Sequence, residues 1–345
     1  MDCVITIRHP YLQLRSLYPF EANLICTYAA LGGSIDIIEL ARSKNYPWSV
    51  YTTAAAAEGG HLEVLKWLHA NGCPWDSYSC ASAAEYGHLE ILQWLRANDC
   101  PWDQRTTEYA AETGQLETLI WAHQNGCRLS RNICASAAKG GSLEVLQWAR
   151  ENKCHWNPEL YSLAAENGHL HIIKWAKSNG LDWDASTTVS MMLLAAGAGH
   201  LNVLKWAYKN GIVPHFRLAG MAATYGHLEV LEWLTSLPNF HDTGFATTAA
   251  SYGHLHVLEW ALKRGYTVED YACSSAATDG NLEVLKLLRK YNITWDEQTT
   301  ANAAEYKNFE VLIWAIENGC PYDKEFVEPF IKGAHIFSKT RLYEI

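Results

Sequence analysis

The apolar positions of the chain recur as two helical segments separated by a glycine. In residues 77–86 the small residues Cys80, Ala83 and Ala84 stand at i, i+3 and i+4, which predicts a helix with one narrow packing face. Residues 88–98 place leucine, isoleucine and tryptophan at the same period, which predicts a second, amphipathic helix. Gly87 lies between them and suits the left-handed residue at which many helices end. The pattern therefore predicts a helix–glycine–helix unit.

This unit repeats along the chain. Residues 56–67, 83–94 and 164–175 read AAEGGHLEVLKW, AAEYGHLEILQW and AAENGHLHIIKW. The loop position recurs every 27 residues, except for one step of 31, at Gly33, Gly60, Gly87, Gly114, Gly141, Gly168, Gly199, Gly226, Gly253 and Gly280, and as Lys307 in an eleventh unit. Strand signals are nearly absent. The sequence therefore predicts an all-α solenoid of about eleven helical hairpins with degenerate capping helices.

The ends of the array and one insertion depart from the repeat. We expect a degenerate N-terminal cap over residues 1–22, the repeat array over 23–322, and a C-terminal capping helix and tail over 323–345. Four extra residues near 184–194 either lengthen a loop or add a helical turn. Connector residues such as Asp76 and Asp103 precede the first helix of a unit, where their carboxylates are expected to cap free amides.

The stretch AAEYGHLEILQWL, at residues 83–95, resembles ankyrin repeats, and the helix–Gly-His–helix frame extends over residues 23–333. The unit has 27 residues rather than about 33, and YSCASA at 78–83 replaces the T-P-L-H-x-A signature of that family. The chain is most similar to the short, tryptophan-rich ankyrin-like arrays of large DNA viruses and of some algae and protists. The resemblance implies a scaffold that binds protein.

Tryptophan, cysteine and histidine are abundant, with 15, 10 and 15 residues. Every tryptophan falls seven or fifteen places after a loop position, and all cysteines except Cys3 keep one of two offsets. Both residue types thus follow the architecture, and we expect rings such as Trp94 to lie in the core. Equivalent cysteines inherit the helix spacing of about 8–10 Å, whereas bonded Cα atoms lie about 4.4–6.8 Å apart. The cysteines are therefore expected to be small buried hydrophobes.

Six histidines follow a loop glycine and admit two interpretations: His61, His88, His169, His200, His227 and His254. They either form a ladder of metal ligands or hydrogen-bond the loop backbone. Ser34 and Gln115 occupy the same position, which favours the backbone role. No HExxH, GxSxG or Walker motif is present, so we expect no enzymatic activity, no cofactor and no metal. A metal- or redox-dependent protein that uses the repeated cysteines and histidines is the alternative.

The candidate binding residues lie where packing does not dictate the residue type. On each first helix one stripe, here called the first-helix stripe, lies opposite the packing face, and exposed tyrosine and arginine are common interface anchors. Its candidate residues, with the loop tyrosines beside it, are Tyr51, Tyr78, Arg105, Tyr109, Asn132, Glu159, Arg217, Tyr271 and Gln298, then Tyr86, Tyr225, Tyr252 and Tyr306. We predict a protein partner in the concave groove that the first helices line. A purely structural spacer is a further alternative.

The charge of the chain bears on its partners. With 37 acidic and 27 basic residues the net charge is −10, and no basic stripe stands out, which argues against nucleic acid and favours a basic protein partner. The chain has no run of 18 apolar residues, and its first residues are a poor secretory signal. We therefore expect a monomer without membrane attachment, in the cytoplasm (of a host cell if the chain is viral), with reduced cysteines.

Overall fold

The computed structural model describes residues 24–330, apart from 157, 239, 242 and 243. The cap expected over residues 1–22 and the end of the C-terminal segment lie outside this part of the chain. The described residues are helical and contain no strand, which confirms the prediction of an all-α helical-repeat solenoid. None of their helices is both long and apolar enough for a membrane span. The chain divides between Leu160 and Tyr161 into two units.

Each unit of the chain is a series of helical hairpins. The first unit contains α1 (Ile25–Leu31), α2 (Ile35–Ser43), α3 (Val50–Glu58), α4 (Leu62–Ala70), α5 (Ser77–Glu85), α6 (Leu89–Ala97), α7 (Gln104–Glu112), α8 (Leu116–Gln124), α9 (Ile133–Gly140) and α10 (Leu143–Glu151). The division falls within α11 (Glu159–Glu166).

The second unit continues with α12 (Leu170–Ser178), α13 (Ala185–Gly197), α14 (Leu201–Lys209), α15 (Leu218–Thr224), α16 (Leu228–Thr235), α17 (Phe245–Ser251), α18 (Leu255–Lys263), α19 (Ala272–Thr278), α20 (Leu282–Lys290), α21 (Glu297–Glu305) and α22 (Phe309–Glu317). Residues 324–330 are also helical. Odd-numbered helices are the first helices of the repeats and even-numbered helices are the second helices.

First helices pack against first helices, as α3 does against α5 and α5 against α7. Their alanines make this close approach possible, since Ala83 and Ala84 are fully buried. On the second helix of the same repeat, Ile91, Leu92 and Leu95 fill the space behind them. In each unit the core is therefore a layer of alanine and branched aliphatic side chains between first and second helices.

Histidines that follow loop glycines join one repeat to the next. His88 Nε2 donates to the carbonyl of Glu58, at 3.0 Å, at the end of the preceding first helix. The ring also covers Gly60, whose φ is +77° and whose hypothetical Cβ would lie 2.8 Å from the His88 ring. Equivalent bonds of 2.7–3.0 Å are made by His61, His200, His227 and His254. The prediction that these histidines hydrogen-bond loop backbone is confirmed.

The expectation that the tryptophans lie in the core was wrong. All of them except Trp260 are only half-buried. The connector tryptophan of one repeat meets the second-helix tryptophan of the next edge to face, as Trp75 does Trp94 with ring centroids 5.8 Å apart. The aliphatic residues already fill the core, so the large rings pack on each other along its edge. We call this row the tryptophan ladder.

Basic side chains cover several rings of the ladder. The Arg150 guanidinium carbon lies 4.2 Å from the ring centroid of Trp156, and its Nη1 donates to the carbonyl of Cys154 at 2.7 Å. Arg96 makes the same pair of contacts with Trp102 and the carbonyl of Cys100. The arginine thereby ties the end of a second helix to the connector that follows it. Cation–π contacts at equivalent positions are made by Arg42, Lys177 and Arg289.

The cysteines behave as small buried hydrophobes, as predicted. The nine cysteines of the described residues are free thiols, and all but Cys154 are buried. Cys127 Sγ contacts the carbonyl oxygen of Asp103 at 3.3 Å. Burial raises the pKa of Cys127 to about 11 and that of Cys73 to about 12. Within the described chain no three His, Cys, Asp or Glu side chains are grouped to hold a metal ion.

Connector capping occurs in part of the repeats, and the insertion adds a helical turn. The side chains of Ser49, Asp76, Asp103 and Asp184 accept from amides of the following first helix. Asp296 makes no such bond, although its backbone is extended in the same way.

Helix α13 has 13 residues, whereas the other first helices, α1 to α21, have seven to nine. The extra residues therefore extend this helix by one turn.

Candidate interaction surface

The candidate residues at the first position of the first-helix stripe lie at the starts of their helices. Tyr51, Tyr78 and Arg105 are the second residues of α3, α5 and α7, and Gln298 is the second residue of α21. Glu159 begins α11. The N-cap residues of α9, α15 and α19 are Asn132, Arg217 and Tyr271. The stripe thus repeats from one helix to the next within each unit.

Two tyrosines of the stripe and the four loop tyrosines are exposed to solvent. Tyr51 is 50% exposed and Tyr271 is 58% exposed. The four loop tyrosines are the C-cap residues of α5, α15, α17 and α21, and 39–60% of their surface is exposed: Tyr86, Tyr225, Tyr252 and Tyr306. These side chains are positioned by helix ends but are not needed to fill the core. Their role in binding stays a prediction.

In the first unit the structure brings Tyr78, Arg105 and Tyr109 together. The Arg105 guanidinium carbon lies 3.9 Å from the ring centroid of Tyr78, and its Nη2 lies 2.5 Å from Asp103 Oδ2. The hydrogen bonds from Arg105 hold the pKa of Asp103 below its usual range. Burial, together with the nearby Tyr78 and Glu85, raises the pKa of Tyr109. Arg105 is therefore fixed in place between an aromatic face and a carboxylate.

A row of glutamates at the ends of the first helices completes this surface, and sequence reasoning missed it. The Tyr86 hydroxyl donates to the carboxylate of Glu58, one repeat earlier. Burial raises the pKa of Glu58 even though this hydrogen bond opposes the shift. In the next repeats, Lys139 Nζ lies 2.6 Å from Glu112 Oε1. The signal was present, since glutamate recurs at the last position of α3, α5 and α7.

Arginines that lie over the tryptophan ladder form a local basic row, which the sequence analysis did not identify. Arg42, Arg96 and Arg150 occupy the same position near the ends of α2, α6 and α10, and each lies over a tryptophan. The intervening repeats have His69 and His123 at this position. The net charge hides this row because it averages over the whole surface.

No protein-family model matches the chain, and no curated protein matches it. Solved structures do align with it. The pentatricopeptide repeat protein PPR10 in complex with an 18-nt psaJ RNA element is 14% identical, with a TM-score of 0.38, and the alignment covers 89% of this chain and 55% of that one. The pentatricopeptide repeat protein PPR10 from maize is 15% identical, with a TM-score of 0.36, and the alignment covers 86% of this chain and 53% of that one. The chain thus spans about half the length of these proteins.

These structures correct one expectation. We excluded nucleic acid from the net charge of the chain, yet a helical-repeat protein with which the chain aligns is bound to RNA. The exclusion was wrong, since an acidic total does not decide the chemistry of one row of side chains, such as the arginines of the tryptophan ladder. The likeness itself concerns the helical-repeat fold alone.

Proposed function

We propose that the chain is a non-enzymatic, ankyrin-like scaffold that binds a protein partner along the surface of its first helices. One observation carries the proposal: exposed tyrosines recur on the first-helix stripe and at the loops, where helix packing does not require them. Tyrosine supplies a large contact area at low entropic cost, and it is enriched at the centres of protein interfaces.

The other abundant residues are engaged within the fold, which weakens the alternatives. The repeated histidines bond the backbone of the preceding repeat, and the buried thiols have pKa values raised by burial. A thiol that stays protonated is a poor metal ligand and a poor redox centre. The described histidines and buried cysteines therefore offer few groups that could bind a metal or act in redox chemistry.

The free, buried thiols also support a reducing location such as the cytoplasm.

Site-specific photo-crosslinking in the native cell tests the proposal. A photoreactive phenylalanine analogue replaces Tyr51 or Tyr271, one position in each unit. The control positions are Gln93 and Tyr208, which are exposed on second helices. We expect a protein adduct from the first-helix positions and none from the controls. Adducts from the control positions alone, or from no position at all, would favour another surface or a structural spacer.

Nucleic acid is the second candidate partner, because the tryptophan ladder pairs aromatic rings with arginines. Such pairs are the chemistry of single-strand binding, in which bases stack on rings and phosphates meet cations. In this chain the guanidinium of Arg150 already lies on Trp156 and donates a hydrogen bond to the backbone. These contacts limit how far a base can stack on the ring and how far a phosphate can reach the guanidinium. A fluorescently labelled 18-nt RNA tests this candidate. Submicromolar binding that Arg96→Ala weakens would place the partner on the ladder instead of the first helices.

A further inference from the structure

In the second unit the residues that end the first helices form a row across the repeats. The C-cap residues of α15, α17 and α19 are Tyr225, Tyr252 and Asp279, which are spaced by 27 residues in the sequence. Helix α15 packs against α17, and α17 packs against α19. The three side chains therefore lie at successive steps along one edge of the unit, here called the loop edge.

The side chains of the loop edge are open to solvent. Tyr225 is 57% exposed and Tyr252 is 60% exposed, and Asp279 is exposed as well. Within the described residues, none of these three side chains has a hydrogen bond, an ion pair or an aromatic partner. Both tyrosine rings and the carboxylate are thus free to contact another molecule.

The preceding first helix sets the position of the Tyr225 ring. Where helices of the first unit end in glutamate, α13 and α15 end in Gly197 and Thr224, so no carboxylate ties the tyrosine hydroxyls. A Cβ on Gly197 would lie 3.2 Å from Met221 Cε and 3.4 Å from Tyr225 Cδ2. The lack of a side chain at Gly197 therefore lets Tyr225 rest against the end of α13 while most of its surface stays exposed.

The first helices beside the loop edge carry no charge. Helices α13, α15, α17 and α19 contain no Asp, Glu, Lys or Arg, whereas α3, α5, α7 and α9 each contain at least one. Half-buried Leu194 and Met221 add apolar surface on α13 and α15. A charged partner group placed here would lose hydration without gaining a counter-ion. This surface therefore suits an uncharged segment, with Asp279 as the one acidic group at its end.

The spacing of the loop edge matches one turn of a polyproline II helix. Packed helices lie about 8–10 Å apart, which sets the step from Tyr225 to Tyr252 and from Tyr252 to Asp279. Polyproline II has three residues per turn and rises about 3.1 Å per residue, so it presents the same face about every 9 Å. An extended strand presents one face about every 7 Å and falls out of step after one repeat.

We propose that the loop edge binds a proline-rich segment of a protein partner in the polyproline II conformation. Two prolines three residues apart pack on Tyr225 and Tyr252, and a lysine or arginine three residues further on pairs with Asp279. Tyrosine rings offer apolar faces to proline, and their hydroxyls donate to the carbonyls that polyproline II leaves unpaired. The carboxylate holds the basic group by charge-assisted hydrogen bonds. This inference rests on the proposed function and adds to it the place and the chemistry of recognition.

Selection from a phage-displayed library of random dodecapeptides on the full chain tests the proposal. We expect enrichment of Pro-x-x-Pro-x-x-Lys or Pro-x-x-Pro-x-x-Arg, in either chain direction. A labelled synthetic copy of the best peptide is then titrated by fluorescence polarisation against the native chain and the loop-edge variant Tyr225→Ala/Tyr252→Ala. The control is Tyr208→Ala/Val213→Ala, which removes two exposed apolar side chains from α14 and the connector after it.

The loop-edge variant should bind at least about tenfold more weakly, because both aromatic contacts are lost, and the control should bind as the native chain does. Asp279→Asn should weaken binding about two- to fivefold, and a peptide with alanine in place of its basic residue should not distinguish Asp279→Asn from the native chain. Circular dichroism checks that the variants keep the helical signal of the native chain.

Selected peptides without prolines three residues apart would overturn the proposal. Apolar residues at i, i+4 and i+7 would instead indicate an amphipathic helix as the occupant, and equal weakening in the loop-edge and control variants would place the peptide elsewhere. Crosslinks from Tyr51 or Tyr271 that persist while these peptide results fail would leave the binding scaffold intact and refute only the proline-rich segment.

Discussion

Replacement of a glycine by alanine separates two effects that coincide at Gly60, namely left-handed backbone strain and a clash with the His88 ring. Gly60 and Gly72 have nearly the same φ, +77° and +78°, so alanine meets the same left-handed strain at both positions. A Cβ on Gly60 would also lie 2.8 Å from the His88 ring, whereas one on Gly72 would have no atom within 4 Å. The pair therefore isolates the contribution of the histidine that joins the repeats.

The expected losses in the free energy of unfolding differ by about twofold or more between the two variants. Left-handed strain alone predicts about 1–2 kcal/mol for Gly72→Ala. Gly60→Ala adds the displacement of His88 from the carbonyl of Glu58, and a lost hydrogen bond with a carbonyl left unpaired costs about 1–3 kcal/mol. We therefore expect about 2–5 kcal/mol for Gly60→Ala. In a His88→Ala background the cost of Gly60→Ala should fall to that of Gly72→Ala, because the clash is gone.

Urea denaturation followed by circular dichroism measures these differences as shifts of the transition midpoint, which stay comparable when a long repeat array departs from two-state unfolding. Hydrogen exchange over residues 56–90 shows whether the loss is local to the junction between the two repeats. Equal shifts for Gly60→Ala and Gly72→Ala would refute the reasoning. So would an effect of Gly60→Ala that is unchanged when His88 is absent.

Further predictions concern the ladder and the thiols. Trp94→Ala should lower the free energy of unfolding by about 2 kcal/mol, less than the 3–5 kcal/mol of a core ring, because Trp94 is half-buried; a loss above 4 kcal/mol in urea melts would contradict this. In a Cys3→Ser/Cys154→Ser variant, which keeps only buried thiols, none should react with Ellman's reagent at pH 8 until guanidinium unfolds the chain, and rapid reaction of the native protein would show that thiols such as Cys73 are accessible. Stability should fall as the pH rises from about 9 to 12, since unfolded thiols lose their protons first and the buried Cys73 and Cys127 titrate at about 12 and 11; a urea midpoint that stays constant over this range would count against the buried thiols.

The periodicity of the sequence predicted the repeats, because helix length, loop glycines and packing alanines are local properties. The backbone role of His88 followed from the residues that replace it in other repeats. The position of Trp94 did not follow in the same way. A large apolar ring at a helical period suggests the core, yet the neighbouring Ile91 and Leu95 already fill it, and this competition for space depends on the packing of two repeats.

The candidate surface was predicted in its residue types but not in its contacts. Tyr51 and Tyr78 were found because the fold leaves their positions free. The bond between Tyr86 and Glu58 joins residues 28 positions apart in adjacent repeats, so no local pattern indicates it. The arginine row was missed because Arg42 and Arg96 are separated by a repeat with His69, and the acidic total concealed them.

The affinity of the partner identified by crosslinking, measured by calorimetry, tests the central claim most directly. One variant carries Tyr51→Ala and Tyr271→Ala, which removes an exposed first-helix ring from each unit. The control carries Leu40→Ala and Tyr208→Ala, which removes exposed apolar side chains from second helices. If the first helices form the binding surface, the dissociation constant rises about tenfold or more in the first variant and stays unchanged in the control. An unchanged dissociation constant in the first variant, or a rise in the control alone, would contradict the account.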